Sequence, residues 1–243
     1  MVRSLLVRGM LAGLAAGLLY AVFAYVVGEP TVDGAIAFED QVAAAAGEAP
    51  GAELVSRTVQ STLGLAVAAA VYGVAIGGIF ALVHALAQGR VGRLGPRGTA
   101  AVLALIGFLT VYAVPFLKYP ANPPASSLDD TIGLRTGLYV LMVVLSVVIG
   151  AAAVLLRERL LQRLGGWNAT LAATGAYLVV VGIVMALLPT IAETPADFPA
   201  TILYDFRLAS LGGQLVLWTA LGLIFGALVH RAARPAPAVR AVR

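Results

Sequence analysis

Long apolar blocks alternate with short polar ones along this chain. Six stretches, at about 9–28, 62–88, 98–117, 133–155, 168–190 and 209–230, reach roughly the 20 residues that a membrane-crossing helix needs. They are rich in Leu, Val, Ala and Gly, and they lack the polar–apolar alternation of barrel strands. The pattern predicts an all-α polytopic membrane protein. Its six transmembrane helices form a single membrane domain over 1–243, paired as hairpins at about 9–88, 98–155 and 168–230, with a basic tail at 231–243.

The first stretch shares a basic start and an apolar centre with signal peptides, but it is longer and has no clean A-x-A site before Gly28. It also carries Gly9, Gly13 and Gly17, a doubled GxxxG suited to close helix packing, and is therefore expected to be retained as a span. Gly73/Gly77 and Gly222/Gly226 offer similar faces.

Charge sets the expected orientation. The N-terminus, the connections near 89–97 and 157–167 and the tail from 231 hold 12 of the 16 basic residues, which places them and both termini in the cytoplasm. Eleven of the 12 acidic residues fall on the other side, with loops 28–61, 118–132 and 190–208 outside a bacterial-type inner membrane. The net charge of +4 therefore calls for no nucleic-acid partner, because the arginines mark topology and lie against anionic lipid of the bilayer.

The outer connections share a plan. "VPFLKYPANPPASSLDDTIGLRTG" and "LLPTIAETPADFPATILYDFRLAS" each leave a helix at a proline, Pro115 or Pro189. Each then reaches an aspartate and an arginine that opens the next helix: Asp130 with Arg135, and Asp205 with Arg207. The first connection starts at Pro30 and ends on Arg57. This predicts a threefold hairpin repeat, a device of transporter folds in which the substrate path runs between repeats. Pro115 is expected to end or kink the third span. The prolines after Tyr119, Asn122 and Pro123 bias those residues to extended backbone, which would hold Lys118 and Asn122 in fixed positions.

Composition narrows the chemistry. The chain is 60% hydrophobic and 12% charged, with no cysteine and two histidines, so thiol chemistry and Cys-based metal sites are excluded. No Asp, Glu, Lys or Arg lies deep in a predicted span, which argues against a proton-relay pump, and there is no phosphate-binding GxxxxGK[ST] loop. No triad-like arrangement is visible, so no enzyme activity is expected. The deeper polar groups, among them Tyr112, Ser146, Tyr177 and Gln214, read as helix–helix hydrogen-bonding groups, with Gln214 also a pathway candidate.

Candidate ligands collect at the outer ends. Glu29, Glu39, Asn122, Asp130 and Asp205 present oxygens for a hard or borderline divalent cation, near Lys118, Tyr119, Arg57, Arg135 and Arg207. The same residues also serve as caps, ion pairs and solvated loop charges. Lys118 could simply snorkel to the interface beside Tyr119. Glu39 sits in "TVDGAIAFEDQVAAAA", expected as a short amphipathic helix capped by Thr31 or Asp33 on the outer membrane surface, serving as a cover of the bundle or as a substrate lid. His84 and His230 sit at equivalent inner helix ends and form a candidate exit site for a transition metal.

The segments "GEPTVDGAIAFE", "PFLKYPANPPA" and "FPATILYDFRLASLGGQLVLW" resemble the CbtA family of predicted cobalt transporter subunits over nearly the whole chain. The resemblance implies a small multispanning protein that imports cobalt, paired with CbtB, a single-span partner carrying histidines. It carries over Glu29, Glu39, Lys118, Tyr119, Asn122, Arg135 and Arg207 as motif positions. The expected function is uptake of a divalent transition metal, Co²⁺ as substrate, through an outer vestibule, with no permanently bound cofactor. A non-transporting accessory subunit of a larger complex and a carrier for a small anionic solute are the alternatives, and a homo-oligomer fits any of these.

Overall fold

The computed structural model describes residues 2–47, 54–89, 94–124, 126, 129–191 and 194–233. It is all-helical, with no strand among the described residues. Five stretches are long and apolar enough to cross a membrane. They are α1 (Val2–Ala46), α2 (Arg57–Ala87), α3 (Pro96–Lys118), the stretch Thr131–Leu187, and a last helix, Ala200–Ala233. The stretch Thr131–Leu187 lies within a helical element, Asp129–Leu187, that is interrupted at Gly165 (φ 72°, ψ 169°). That conformation is open to glycine and strained for any other residue. The break divides the element into α4 (129–164) and α5 (166–187), and the last helix is α6.

Side-chain pairs across Gly165 show how α4 and α5 lie. Ser146 and Tyr177 share a hydrogen bond of 2.8 Å, Arg157 Nε donates to Thr170 at 2.9 Å, and Met142 packs with Val181. As the residue number falls along α4 it rises along α5, so the two helices run antiparallel.

Contacts divide the chain into two compact units. The first comprises Met1–Tyr25, Val55–Leu105 and Leu215–Arg243. Its organising feature is the antiparallel contact of α1 with α2. Gly9 faces Gly77, Gly13 faces Gly73 and Gly17 faces Ala69, each against the opposing backbone carbonyl. Spacing by four residues on both helices keeps the glycines in register over three turns. In lipid, where apolar faces gain little from one another, such backbone approach is what holds helices together. Gly222 and Gly226 on α6 pack likewise against Ala104 and Ala100 of α3. Phe80 and Phe225 complete this core with an edge-to-face contact at 5.3 Å.

The second unit comprises Val26–Leu54 and Ile106–Gln214. Val114, Tyr119, Met142 and Val181 form its buried centre. Large apolar residues such as Leu178, Leu187 and Leu134 are exposed on the helix surfaces, as lipid-facing positions require.

Two boundaries differ from the sequence expectation. Helix α1 does not stop at Pro30 but continues to Ala46, so Glu29 and Glu39 lie on a helix rather than in a loop or on a separate surface helix. A π-helical turn at Ala24–Gly28 precedes the proline and absorbs its missing donor. Thr31 is no cap: its hydroxyl donates back to the Gly28 carbonyl at 2.7 Å. The real stop is Gly47 (φ 74°), whose N–H reaches the carbonyls of Ala43 and Ala44. Ala35 is fully buried, and Phe38 meets Phe198 edge-on at 5.1 Å, so this extension packs against protein. Helix α3 ends at Lys118, three residues past Pro115 and one past the predicted 117. Finally, α6 starts at Ala200, nine residues before the predicted 209, which places Asp205 and Arg207 inside the helix and leaves the preceding connection shorter than 190–208.

Gly13→Ala would drive a methyl group into the Gly73 carbonyl. The expected cost is about 1–3 kcal/mol, read as a lower unfolding temperature in detergent micelles. Gly175→Ala, where an added Cβ meets nothing within 4 Å, is the matched control and should leave that temperature unchanged.

Candidate functional site

The site grows from the way α3 ends. Pro115 is buried and has no N–H to give the preceding turn. The six residues before Val114, Phe108–Ala113, are wound as a π-helix, which shifts the ladder and lets the helix pass through the proline. One turn later Tyr119 (φ −128°, ψ 77°) leaves helical space because Pro120 follows it. Its N–H still donates to the Pro115 carbonyl at 2.8 Å. The helix therefore delivers Lys118 on its last turn and hands over to the segment Tyr119–Pro124.

This segment is held from several directions. The Tyr119 hydroxyl donates to the Pro189 carbonyl at 2.8 Å. Burial pushes its phenol up, which keeps it a neutral donor. Lys118 Nζ donates to the Thr190 hydroxyl at 3.3 Å and lies 5.9 Å from the Tyr119 ring centre. From α4, Arg135 Nη2 donates to the Pro120 carbonyl at 2.7 Å. From α6, Arg207 Nε reaches the Ala121 carbonyl at 3.3 Å and Nη2 reaches Asn122 Oδ1 at 2.9 Å. Three backbone or amide oxygens of a donor-poor, proline-rich loop are thus satisfied by two guanidiniums. The fork of Arg207 suits this geometry in a way that the point charge of a lysine does not.

Two cavities flank the segment. One, of about 270 Å³, is lined by Lys118, Tyr119, Asn122, Arg135, Thr190 and Arg207, together with Pro120, Ile191 and Thr194. The other, of about 320 Å³, shares Tyr119, Asn122 and Arg135 and adds the rings of Tyr112, Phe116 and Tyr139 beside Ala121, Ile132 and Thr136. Beside it the Tyr112 hydroxyl bonds Ser210 at 2.6 Å, which ties α3 to α6.

The structure therefore brings together Lys118, Tyr119, Asn122, Arg135 and Arg207. The acidic candidates are placed otherwise. Glu39 and Asp205 are exposed, and Arg207 turns to the loop rather than to Asp205. Glu29 is half-buried on α1, and the side chain of Asp130 lies outside the described residues. Arg57 opens α2. Among the described residues no three His, Asp or Glu side chains converge as a ligand set. His84 is fully buried, its ring 5.0 Å from that of Phe225 and its Nε2 directed at the Pro96 carbonyl at 3.4 Å, while Nδ1 has no protein partner. His230 lies on the last turn of α6. Gln214 keeps its Oε1 buried without a protein partner and lines neither of these two cavities.

Sequence reasoning missed Thr190 and Thr194. Their only signal is position, since they follow Pro189 in the connection that parallels Lys118–Asn122.

These features define a multispanning α-helical membrane protein with a proline-rich connection clamped by cationic side chains. The chain belongs to the CbtA family, described as a probable cobalt transporter subunit, which matches residues 2–230. No curated protein and no solved structure matches it.

Tyr119→Phe would leave the Pro189 carbonyl without its donor, and Arg207→Met would leave Ala121 and Asn122 without theirs. Each is expected to destabilise the protein by about 1–3 kcal/mol. Thermal unfolding in micelles, with faster proteolysis of the 119–124 segment, is the measurement that checks this.

Proposed function

We propose that this chain is the multispanning subunit of an uptake system for a divalent transition metal, with Co²⁺ as the substrate. The family match over residues 2–230 carries this reading. In this proposal the break at Gly165 makes α4 and α5 a hairpin, so the chain crosses the membrane six times as three hairpins with both termini in the cytoplasm. The arginine-rich short connections support that orientation.

The proposed entrance is the face carrying Lys118–Asn122 and Pro189–Thr190. The contacts Tyr119–Pro189, Lys118–Thr190 and Arg207–Asn122 support it, since they join these two segments and α6 into one platform. Glu29, Glu39 and Asp205 would supply oxygen donors, and His84 and His230 nitrogen donors near the C-terminal ends of α2 and α6. Cobalt favours imidazole alongside oxygen ligands, and the sequence has two histidines and no cysteine. We therefore assign the remaining nitrogen ligands to a second, histidine-bearing single-span subunit of the CbtB type.

The test is cellular cobalt accumulation with the chain alone, the partner alone, both and neither. Accumulation should rise only when both are present, and should fall at least about tenfold when the platform is loosened by Arg207→Met. Cobalt levels that do not depend on this chain would overturn the reading.

A further inference from the structure

We infer that the 320 Å³ cavity between α3 and α4 is a binding site for a small planar aromatic molecule that carries a neutral carbonyl oxygen. Four rings line it: Tyr112 and Phe116 from α3, Tyr119 from the segment that follows, and Tyr139 from α4. Along α3, Phe108, Tyr112 and Phe116 recur at every fourth residue and their rings stack in sequence. The centroids are 6.4 Å and then 5.5 Å apart, with 29° between the planes at each step. The last two rings of this ladder line the cavity, and the position where a fourth would fall is Pro120. A flat guest continues the stack. A saturated guest of the same size forgoes the offset-stacked and edge-on contacts that ring quadrupoles favour.

The rings are held in place from outside the cavity. The Tyr112 hydroxyl is bonded to Ser210 at 2.6 Å, and the Tyr119 hydroxyl donates to the Pro189 carbonyl at 2.8 Å, so each phenol is fixed by its far end. Arg135 draws α4 to the proline-rich segment through the Pro120 carbonyl at 2.7 Å. A guest therefore meets walls ordered in advance and spends little of its binding free energy on ordering them. Its polar end is set by Asn122 and Thr136. Arg207 holds Asn122 Oδ1 at 2.9 Å, so what this amide still offers is its two N–H groups, which only donate. The Thr136 hydroxyl makes no hydrogen bond to another described residue and supplies a further donor. Donors beside ring faces call for an acceptor on a flat ring, and a carbonyl conjugated to an aromatic system is that group. A volume at the lower end of the range for small-molecule sites, roughly 300–1,000 Å³, limits the guest to one ring or two fused rings. Ile132 and Thr136 are exposed and give the cavity a way in.

Coumarin, a neutral flat bicycle with one carbonyl, is the probe, and octahydrocoumarin, its saturated counterpart, is the comparison. The full chain in phosphatidylcholine nanodiscs is titrated with each by calorimetry, with empty discs subtracted. The expected result is saturable binding of coumarin, and binding of octahydrocoumarin weaker by about tenfold (about 1.4 kcal/mol). Phe116→Leu keeps an apolar side chain but loses the ring, and should weaken coumarin binding about tenfold as well. Thr136→Val, at an exposed position, should weaken it several-fold and keeps the test decisive if Phe116→Leu fails to fold. Arg163→Gln, an exposed arginine elsewhere, should leave it unchanged. Absence of saturable coumarin binding overturns the inference. So does equal binding of octahydrocoumarin, or coumarin binding that is unchanged in both Phe116→Leu and Thr136→Val. Displacement of coumarin by choline overturns it too, since it marks an aromatic cage for cations. Each of these outcomes leaves the cobalt reading standing, since that is judged by cellular accumulation.

Discussion

A backbone amide or carbonyl buried in hydrocarbon has to find its partner within the protein, because lipid offers none. That requirement explains how the chain treats its prolines. Pro30 and Pro115 each remove a donor inside or beside an apolar stretch, and in each case a π-helical turn comes just before: Ala24–Gly28 and Phe108–Ala113. The helix is rewound instead of being ended. The consequence at α3 is positional. Because the helix passes through Pro115 and stops only at Pro120, Lys118 and Tyr119 project from its end, and the carbonyls that follow fall within reach of Arg135 and Arg207.

The same accounting governs the connection itself. Four prolines between Val114 and Ala125 give the segment few donors of its own but many carbonyls. Those carbonyls are met by side chains from α4 and α6, and the connection from α5 is met by Tyr119. Stiffness from proline and clamping from arginine are therefore complementary. The first reduces the entropy lost on ordering, and the second supplies the hydrogen bonds that proline cannot make among its neighbours.

Much of this was legible in the sequence. Apolar block length gave the helices, and the GxxxG spacing of Gly9, Gly13 and Gly17 gave the face of α1 that meets α2, because such spacing has one steric use. The residues of the clamped site were also visible, since Lys118, Asn122, Arg135 and Arg207 are uncommon residue types set in a chain of Ala, Leu and Gly. Their pairing was not. Asp205 and Arg207 looked like a cap because they precede an apolar run, but Pro199 starts the helix earlier, and a helical Arg207 reaches across to Asn122. Pro30 was over-read as a terminator: nothing local in the sequence shows that a π-helical turn will carry a helix through it. The threonines at 190 and 194 were invisible for a different reason, as only tertiary proximity to Lys118 gives them a role.

The clamp on Asn122 also sets an order of events. Its guanidinium comes from a residue made 85 positions later. At roughly 5–20 residues per second of synthesis, the proline-rich segment waits about 4–17 s before Arg207 exists. During that interval α3 is complete while its terminal loop has no fastener from α6. The architecture of this site is thus finished late, by an event at the other end of the chain, and quality control that inspects the loop would in effect be inspecting whether α6 has arrived.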